Sequence, residues 1–264
     1  MNVSLAHWLA LREPIDAAAR SIGLTREVAA ALPRNRRVQI LDLGTGTGSN
    51  VRFLAPHLPA NQHWLLVDKD RSVLAEIPSR VPVAYEPRQL DLGARDAPEI
   101  FAGRDLVTAS ALLDLVSEPF LGWLAQRCRE HDAVALFALT YTGSSTCSPV
   151  EPEDDWICAV LNRHQQQCDK GFGPAAGPDA VALAERAFVA AGYRVRRERS
   201  DWSVAPAARE LQSLLMQGWA DAATEMAPDE SSRIGDWLAR RRAHVEAGTS
   251  RVTVRHEDLA AFLS

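Results

Sequence analysis

The sequence predicts an α/β protein built on a doubly wound, seven-stranded, mostly parallel sheet, with helical additions near both ends. Between Val38 and Tyr141, near-continuous apolar segments of strand length alternate with helical segments, which is typical of parallel strands buried on both faces. The first apolar segment runs through a glycine-rich loop directly into a helix, as at the start of a βαβ unit. At this length we expect one large domain, residues 1–264.

Composition narrows the functional classes. Hydrophobic residues make up 47% of the chain and charged residues 24%, an ordinary globular balance. The net charge of -5 argues against a dedicated nucleic-acid binder, which usually carries a basic domain. No apolar stretch reaches the length of a membrane span, and no signal-like pattern opens the chain. We therefore expect a cytoplasmic protein without nucleic-acid or membrane partners, and a homodimer stays an open alternative.

The sequence predicts no metal site. The four cysteines include no C-x-x-C pair, so neither a disulfide framework nor a common zinc module is indicated. His164 and Cys168 share a helix face, but no third and fourth ligand is evident.

The segment from Val38 to Asn50 is the most informative stretch. Its glycines supply positive φ angles and admit a ligand close to the backbone, and the helix that follows offers free N–H groups. A dinucleotide-binding loop would place its third small residue at Ser49, whereas this chain has Gly48. Asp42 stands two residues before the first glycine, where it suits a cationic amine better than a pyrophosphate.

This pattern resembles motif I of the class I S-adenosylmethionine (SAM) dependent methyltransferases. The resemblance implies a Rossmann-like methyltransferase fold, SAM as the cofactor, and an acid near the methionine part of the ligand. The loop residues that it implies for cofactor binding are Asp42, Gly44, Thr45, Gly46, Gly48 and Asn50. Two alternatives remain: a catalytically idle SAM-binding protein or partner subunit, and an NAD-dependent oxidoreductase on the same βαβ plan.

Acids also end the next two strands. Asp68 lies twenty residues after Gly48, the spacing at which an acid reaches ribose hydroxyls in a βαβ unit. The resemblance implies that Asp91 receives the adenine amino group and that Leu92 packs on the ring. The predicted cofactor-binding set is completed by Lys69 and by Ser110, a small residue at the end of the fourth strand. Asp70 is predicted to be a turn or helix-capping residue.

From Thr142 the chain leaves the common pattern, and we predict a substrate-side insert over residues 142–178. Small polar residues predict a surface loop over Thr142–Pro149, and a helix and a glycine-proline-rich loop follow. Long inserts after a strand of an α/β sheet are usually functional. The candidate substrate-binding residues are Tyr141, Trp156, Asn162, Asp169 and Lys170.

Two residues are candidate general bases. His164 has an imidazole that titrates near neutral pH, and its alternative is a surface histidine on a helix. Asp114 follows the fourth strand, and its alternative is an acid that stabilises the start of a helix. If the resemblance holds, the reaction moves a methyl group to an O or N nucleophile of a small-molecule acceptor. Such a transfer needs mainly orientation, and a base only when the nucleophile is protonated.

The flanking segments are predicted to cover the sheet. The segment over residues 1–34 is predicted to be helical, with an interruption at Pro14, and it has two interpretations. It is a lid, or its polar residues form a helix face held by salt bridges between side chains three and four positions apart. The polar residues that carry these two interpretations are Arg12, Glu13, Asp16 and Arg20. Two helices over residues 206–248 are a predicted cap. The last two strands are predicted at Tyr193–Val204 and, antiparallel beside it, Arg251–His256, with a final turn over Asp258–Leu263.

Overall fold

The structure is a computed structural model that describes residues 4–263, so residues 1–3 of the predicted lid and residue 264 lie outside the described residues. Its helices are α1 (Leu5–Ala19), α2 (Ile22–Ala31), α3 (Ser49–Leu54), α4 (Arg71–Ala75), α5 (Glu118–Glu130), α6 (Asp154–Gln167), α7 (Ala180–Ala190), α8 (Arg209–Met226) and α9 (Ser231–Glu246). Its strands are β1 (Val38–Leu43), β2 (Gln62–Asp68), β3 (Tyr85–Gln89), β4 (Leu106–Ser110), β5 (Val134–Ser148), β6 (Tyr193–Arg199), β7 (Trp202–Val204) and β8 (Arg251–Leu263).

The strands form one sheet in the order β3-β2-β1-β4-β5-β8-β6, with β7 paired to β8. Strands β1 to β5 are parallel, whereas β8 is antiparallel to β5, β6 and β7. The prediction of a doubly wound, mostly parallel sheet with an antiparallel last strand is therefore confirmed, and the fold is Rossmann-like. The strand order reverses between β1 and β4, and ligands of such sheets bind in the crevice at the carboxyl ends of the strands there.

The predicted strand Tyr193–Val204 is divided in the structure, so the sheet has eight strands among the described residues rather than seven. The break falls at Ser200 and Asp201, between β6 and β7. Asp201 Oδ1 accepts a hydrogen bond from the His256 backbone N–H at 3.1 Å, and Oδ2 accepts one from Arg255 Nη1 at 2.9 Å. The Asp201 side chain thus accepts hydrogen bonds from β8 at the point where the strand pairing is interrupted.

Two predicted irregular segments are strands instead. The prediction of a surface loop over Thr142–Pro149 was wrong. Strand β5 continues to Ser148, and its small polar residues pair with the start of β8. The final turn over Asp258–Leu263 was also wrong, because β8 continues to Leu263. Asp258 is buried, and it accepts hydrogen bonds from the backbone N–H groups of Leu139 and Ser21, both at 2.8 Å. Asp258, which the sequence predicts to lie in a turn, is therefore a buried hydrogen-bond acceptor.

Helix boundaries follow the sequence prediction at Asp70 and depart from it at Pro14. Asp70 caps α4, with its carboxylate accepting from Ser72 N at 2.8 Å as predicted. Ser117 caps α5. Pro14 does not interrupt the first helix, because α1 runs from Leu5 to Ala19 through it. A proline inside a helix removes one backbone hydrogen bond, and the side-chain contacts of α1 described below hold the helix in place.

Helices cover both faces of the sheet. Buried side chains of α5 and α7, such as Phe120 and Phe188, pack on one face, and those of α2 and α3, such as Leu24 and Leu54, pack on the other. Helices α6, α8 and α9 pack together beyond the extended ends of β5 and β8, with Trp237 at the centre. Trp8 of α1 and Ala111 after β4 pack against this third cluster.

Candidate ligand-binding site

A cavity of about 390 Å³ lies at the carboxyl ends of the central strands. Its floor is formed by the loop after β1, by Asp68 at the end of β2, and by Ser110 at the end of β4. Its roof is formed by α1 and by the loop that follows α6. The cavity volume lies in the range of sites that enclose small ligands and cofactors.

The glycine loop connects β1 to α3 and borders the cavity through Gly44, Thr45 and Gly46. The three motif glycines all have positive φ, between +54° and +85°. A Cβ on Gly46 would lie 3.0 Å from Cδ1 of Leu9, and one on Gly48 would lie 2.7 Å from Cγ2 of Val81. Backbone conformation and close packing therefore both require glycine here. Gly48 does not border the cavity.

Asp42 is fully buried beneath this loop and does not border the cavity. Its Oδ2 accepts a hydrogen bond from Thr45 Oγ1 at 2.6 Å, and its Oδ1 accepts one from Asn50 Nδ2 at 2.6 Å. Desolvation raises the pKa of Asp42 to about 6, although both hydrogen bonds oppose this rise. Asp42 therefore holds Thr45 and Asn50, which do border the cavity, and does not present its own carboxylate to a ligand.

Asp68 faces the cavity from the end of β2. Its Oδ2 accepts a hydrogen bond from Gly46 N at 2.8 Å, and its Oδ1 accepts one from Asp70 N at 2.9 Å. Each carboxylate oxygen has a second lone pair, so two further hydrogen bonds can be accepted from a ligand. The neighbouring Lys69 also borders the cavity, and its Nζ donates to the carbonyl of Lys170 at 3.3 Å.

Asp91 and Leu92 border the same end of the cavity, just after β3. Asp91 Oδ1 accepts from Gly93 N at 3.0 Å, and the rest of its carboxylate is exposed. A Cβ on Gly93 would lie only 1.8 Å from the carbonyl oxygen of Gly171, so the two backbones are in direct contact. The loop after α6 is thereby held over this end of the cavity, where it contributes Phe172 to the lining.

Helix α1 closes the cavity from above, and its lining side chains are Leu5, Trp8, Leu9, Arg12 and Asp16. Arg12 Nε donates to Asp16 Oδ2 at 2.9 Å, and the guanidinium lies 4.8 Å from the ring centroid of Trp202. Glu13 accepts two hydrogen bonds from Arg52, both at 2.6 Å. The polar residues of α1 thus form salt bridges within the helix and also tie it to α3.

The end of β4 meets the cavity at Ser110 and Ala111. Ala111 has a φ of +53°, which is uncommon for a residue other than glycine, and its N–H donates to the carbonyl of Ala138 at 2.9 Å. Sparsely populated backbone conformations of this kind cluster at ligand sites.

Asp114 follows Ala111 by three residues and is buried, without bordering the cavity itself. Its Oδ2 accepts from Gln165 Nε2 at 3.3 Å, and its Oδ1 has no hydrogen-bond partner among the described residues. Desolvation raises the pKa of Asp114 to about 6. The next residue, Leu115, does border the cavity.

The remaining candidate base and substrate residues lie apart from the cavity lining, except for Lys170. His164 Nε2 lies 2.9 Å from Glu225 Oε2 on α8. Tyr141 OH donates to Asn162 Oδ1 at 3.0 Å, and Asn162 Nδ2 donates to the Gly143 carbonyl at 2.8 Å.

Two other candidates also make contacts outside the cavity. The guanidinium of Arg233 stacks on the ring of Trp156 at 4.6 Å. Asp169 accepts from the N–H groups of Gly171 and Gly173 at 2.7 and 2.9 Å, and so shapes the loop that carries Lys170.

Sequence reasoning missed much of the roof. It singled out Arg12 and Asp16 on the predicted lid but none of the apolar lining residues of α1, and it also left out Phe172 and the leucines after β4. A signal for α1 was present, because Leu5, Trp8, Leu9, Arg12 and Asp16 share one helix face at spacings of three and four. No comparable signal existed for Phe172, whose position depends on the contact between two loops.

No group of three or more His, Cys, Asp or Glu side chains in residues 4–263 is arranged to hold a metal ion. Within the same residues, no helix combines the length and apolar character that crossing a membrane requires.

No family model and no curated protein matches the sequence. Among solved structures, a SAM-dependent methyltransferase from Thiobacillus denitrificans in complex with S-adenosyl-L-homocysteine is similar over 100% of both chains, at 11% identity and a TM-score of 0.47. A cyclopropane synthase from Mycobacterium tuberculosis is similar over 90% of this chain and 83% of its own, at 12% identity and a TM-score of 0.47.

A third solved structure, the YcgJ protein from Bacillus subtilis, is similar over 91% of this chain and 98% of its own, at 13% identity and a TM-score of 0.48. At such identities and scores, likeness carries no conclusion about ligand or reaction. The ligand and the reaction must therefore be inferred from the residues of the cavity itself. There the ends of β1, β2 and β3 bring together a glycine loop and two acids.

Proposed function

We propose that this protein is a SAM-dependent methyltransferase that moves a methyl group to an O or N nucleophile of a small-molecule acceptor. One observation carries the proposal. The loop after β1, Asp68 after β2 and the pair Asp91–Leu92 after β3 converge on a single cavity in the order of the strands. Each offers the hydrogen-bonding group that one part of SAM requires.

The residues of the cavity fit SAM from end to end. Asp91 can accept from the adenine amino group while Leu92 packs on the ring, and Asp68 can accept from both ribose hydroxyls. Gly44 and Gly46 border the cavity and have no side chain, so the sulfur-bearing chain of the ligand can lie against the loop backbone. When bound, SAM supplies an electrophilic methyl group on a sulfonium ion, so the protein mainly has to orient the acceptor and exclude water.

Asp114 is the candidate base that the geometry favours. It is buried beside the cavity wall after β4, and one carboxylate oxygen has no partner among the described residues. A pKa of about 6 makes it a proton acceptor close to neutral pH, as general bases require. His164, by contrast, is engaged by Glu225 away from the cavity lining. An acceptor that enters past Leu115 would bring its protonated nucleophile toward Asp114.

Ligand-dependent thermal unfolding tests this proposal. We expect SAM and S-adenosylhomocysteine to stabilise the protein, by about 2.7 kcal/mol at a concentration 100 times the Kd, whereas NAD leaves it unchanged. Stabilisation by NAD alone, or by none of the three, would contradict the proposal. Transfer of radiolabelled methyl groups from SAM to a mixture of small metabolites then separates an enzyme from an idle SAM-binding protein. In that assay Asp114→Asn should slow the transfer without weakening SAM binding.

A further inference from the structure

A second cavity, of about 270 Å³, adjoins the first between α1 and α3. Asp16, Ser49, Asn50 and Ser110 border both cavities. Neither Asp68 nor Asp91 borders the second cavity. A ligand whose ribose is bound by Asp68 would therefore direct its remaining end toward the junction.

Arg20 is the buried cation of the second cavity, with 6% of its surface exposed. Its Nη1 donates to Asn50 Oδ1 at 2.8 Å, and the guanidinium lies 4.4 Å from the ring centroid of Phe53. Nε lies 3.8 Å from Asp258 Oδ2, which is too long for a hydrogen bond. Nε and Nη2 are buried without a partner among the described residues. Buried donors of this kind are normally satisfied, so an acceptor is missing here.

Asp16 lies in the last turn of α1, four residues before Arg20, which directly follows the helix, and Asp16 borders both cavities. Each of its carboxylate oxygens accepts from Arg12, at 2.9 and 3.2 Å, and each keeps another lone pair. The other ion pair at this cavity, Glu13 with Arg52, is internally satisfied. An anion acceptor and a cation donor thus remain side by side at the junction.

We propose that this junction binds the zwitterionic amino acid group of the ligand, with Asp16 accepting from the α-ammonium and Arg20 donating to the α-carboxylate. The inference rests on the proposed function, and it assigns the ammonium to a residue of the lid rather than to Asp42. Both oxygens of Asp42 are already engaged by Thr45 and Asn50. The lid helix therefore closes by contacting the ligand through its own charges.

The test compares two probes by isothermal titration calorimetry: S-adenosylhomocysteine and 5′-methylthioadenosine, which keeps the adenosine and thioether but lacks the amino acid group. The amino acid group adds charge-assisted hydrogen bonds to Asp16 and Arg20, so the wild-type protein should bind S-adenosylhomocysteine roughly 100-fold tighter. Asp16→Asn and Arg20→Gln should each weaken S-adenosylhomocysteine roughly tenfold or more while changing the affinity for methylthioadenosine less than about twofold.

Glu13→Gln is the matched control, because it removes another carboxylate charge from α1 and should leave both affinities unchanged. Binding of methylthioadenosine checks that each variant is folded, and Asp16→Asn decides the question if Arg20→Gln does not fold. The inference is overturned if the variants weaken both probes equally, or if the wild-type protein binds the two probes equally well. Failure of both probes to bind the wild-type protein would instead overturn the proposed function, and this inference with it.

Discussion

The floor and the roof of the cavity are built in different ways. The floor consists of the glycine loop, Asp68 and Asp91, which lie at or just after the carboxyl ends of three strands of the parallel sheet. The roof consists of α1 and the loop after α6, which are far apart in sequence and meet only in the folded protein. Floor residues are positioned by local chain geometry, whereas roof residues depend on tertiary packing. Substitutions should therefore weaken ligand binding most in the floor, less at the apolar side chains of the roof, and least at residues outside the cavity lining.

The largest effect is expected for Asp68→Ala. It removes both proposed ribose contacts and the hydrogen bond to Gly46 N, so affinity for S-adenosylhomocysteine should fall roughly 100-fold. Asp70→Ala is the control, because Asp70 caps α4 without bordering the cavity. It should cost about 1 kcal/mol of stability and leave affinity unchanged in calorimetry. Equal losses of affinity in the two variants would remove the ribose role of Asp68.

A smaller effect is expected for Gly46→Ala, roughly tenfold in S-adenosylhomocysteine affinity, because the new methyl group meets Leu9 at the cavity edge. Gly103→Ala is its match, since Gly103 also has a positive φ, of +66°, but faces open space. Alanine at positive φ costs about 1–2 kcal/mol, so both variants should lose similar stability in denaturation curves. Unchanged ligand affinity in Gly46→Ala would mean that the loop does not approach the ligand.

The roof should respond more weakly. Phe172→Ala removes one apolar wall of the cavity, and we expect S-adenosylhomocysteine affinity to fall by about three- to tenfold, as for loss of part of a buried side chain's contacts. Trp156→Ala removes an aromatic ring of the predicted insert that stacks on Arg233 outside the lining, and should leave affinity unchanged. A larger loss of affinity in Trp156→Ala than in Phe172→Ala would contradict the expected difference between the cavity lining and residues outside it.

A small effect on affinity, within about threefold, is expected for Asp42→Asn, because Asp42 supports the loop from below. The substitution should instead change how the free energy of unfolding depends on pH. Burial raises the folded-state pKa of Asp42 from 3.8 to about 6, so the folded state holds the proton more tightly than the unfolded state. The stability from this proton is full below the unfolded pKa and is lost as pH rises through 6.

Urea denaturation of the apoprotein at several pH values measures this loss. Between about pH 4 and about pH 7, wild type should lose stability relative to Asp42→Asn, by at most about 1.4 kcal/mol per pH unit. Parallel stability profiles for the two proteins would show that the carboxylate is not perturbed.

Much of the floor could be predicted from sequence, because its signals are local. The positive φ angles of the motif glycines and the strand before them are encoded within a dozen neighbouring positions, and an acid at the end of β2 must lie beside them once the strands are parallel. The exact environment of Asp42 could not be predicted, because it depends on which way the side chains of Thr45 and Asn50 turn.

The predicted insert shows why the rest could not be read. Small polar residues after Tyr141 are typical of a loop, yet β8 offers them a pairing partner more than a hundred positions later in the chain. Pairing with a distant strand overrides the local preference. Tyr141, in the middle of β5, consequently donates a hydrogen bond to Asn162, and residues of α1 and of the loop after α6 lie over the cavity instead.

A crystal structure of the protein with S-adenosylhomocysteine tests the central claim most directly. The account predicts the ligand in the 390 Å³ cavity, with its adenine against Leu92, its ribose hydroxyls on Asp68 and its amino acid group between Asp16 and Arg20. A ligand bound outside this cavity, or one whose ribose lies away from Asp68, would contradict it.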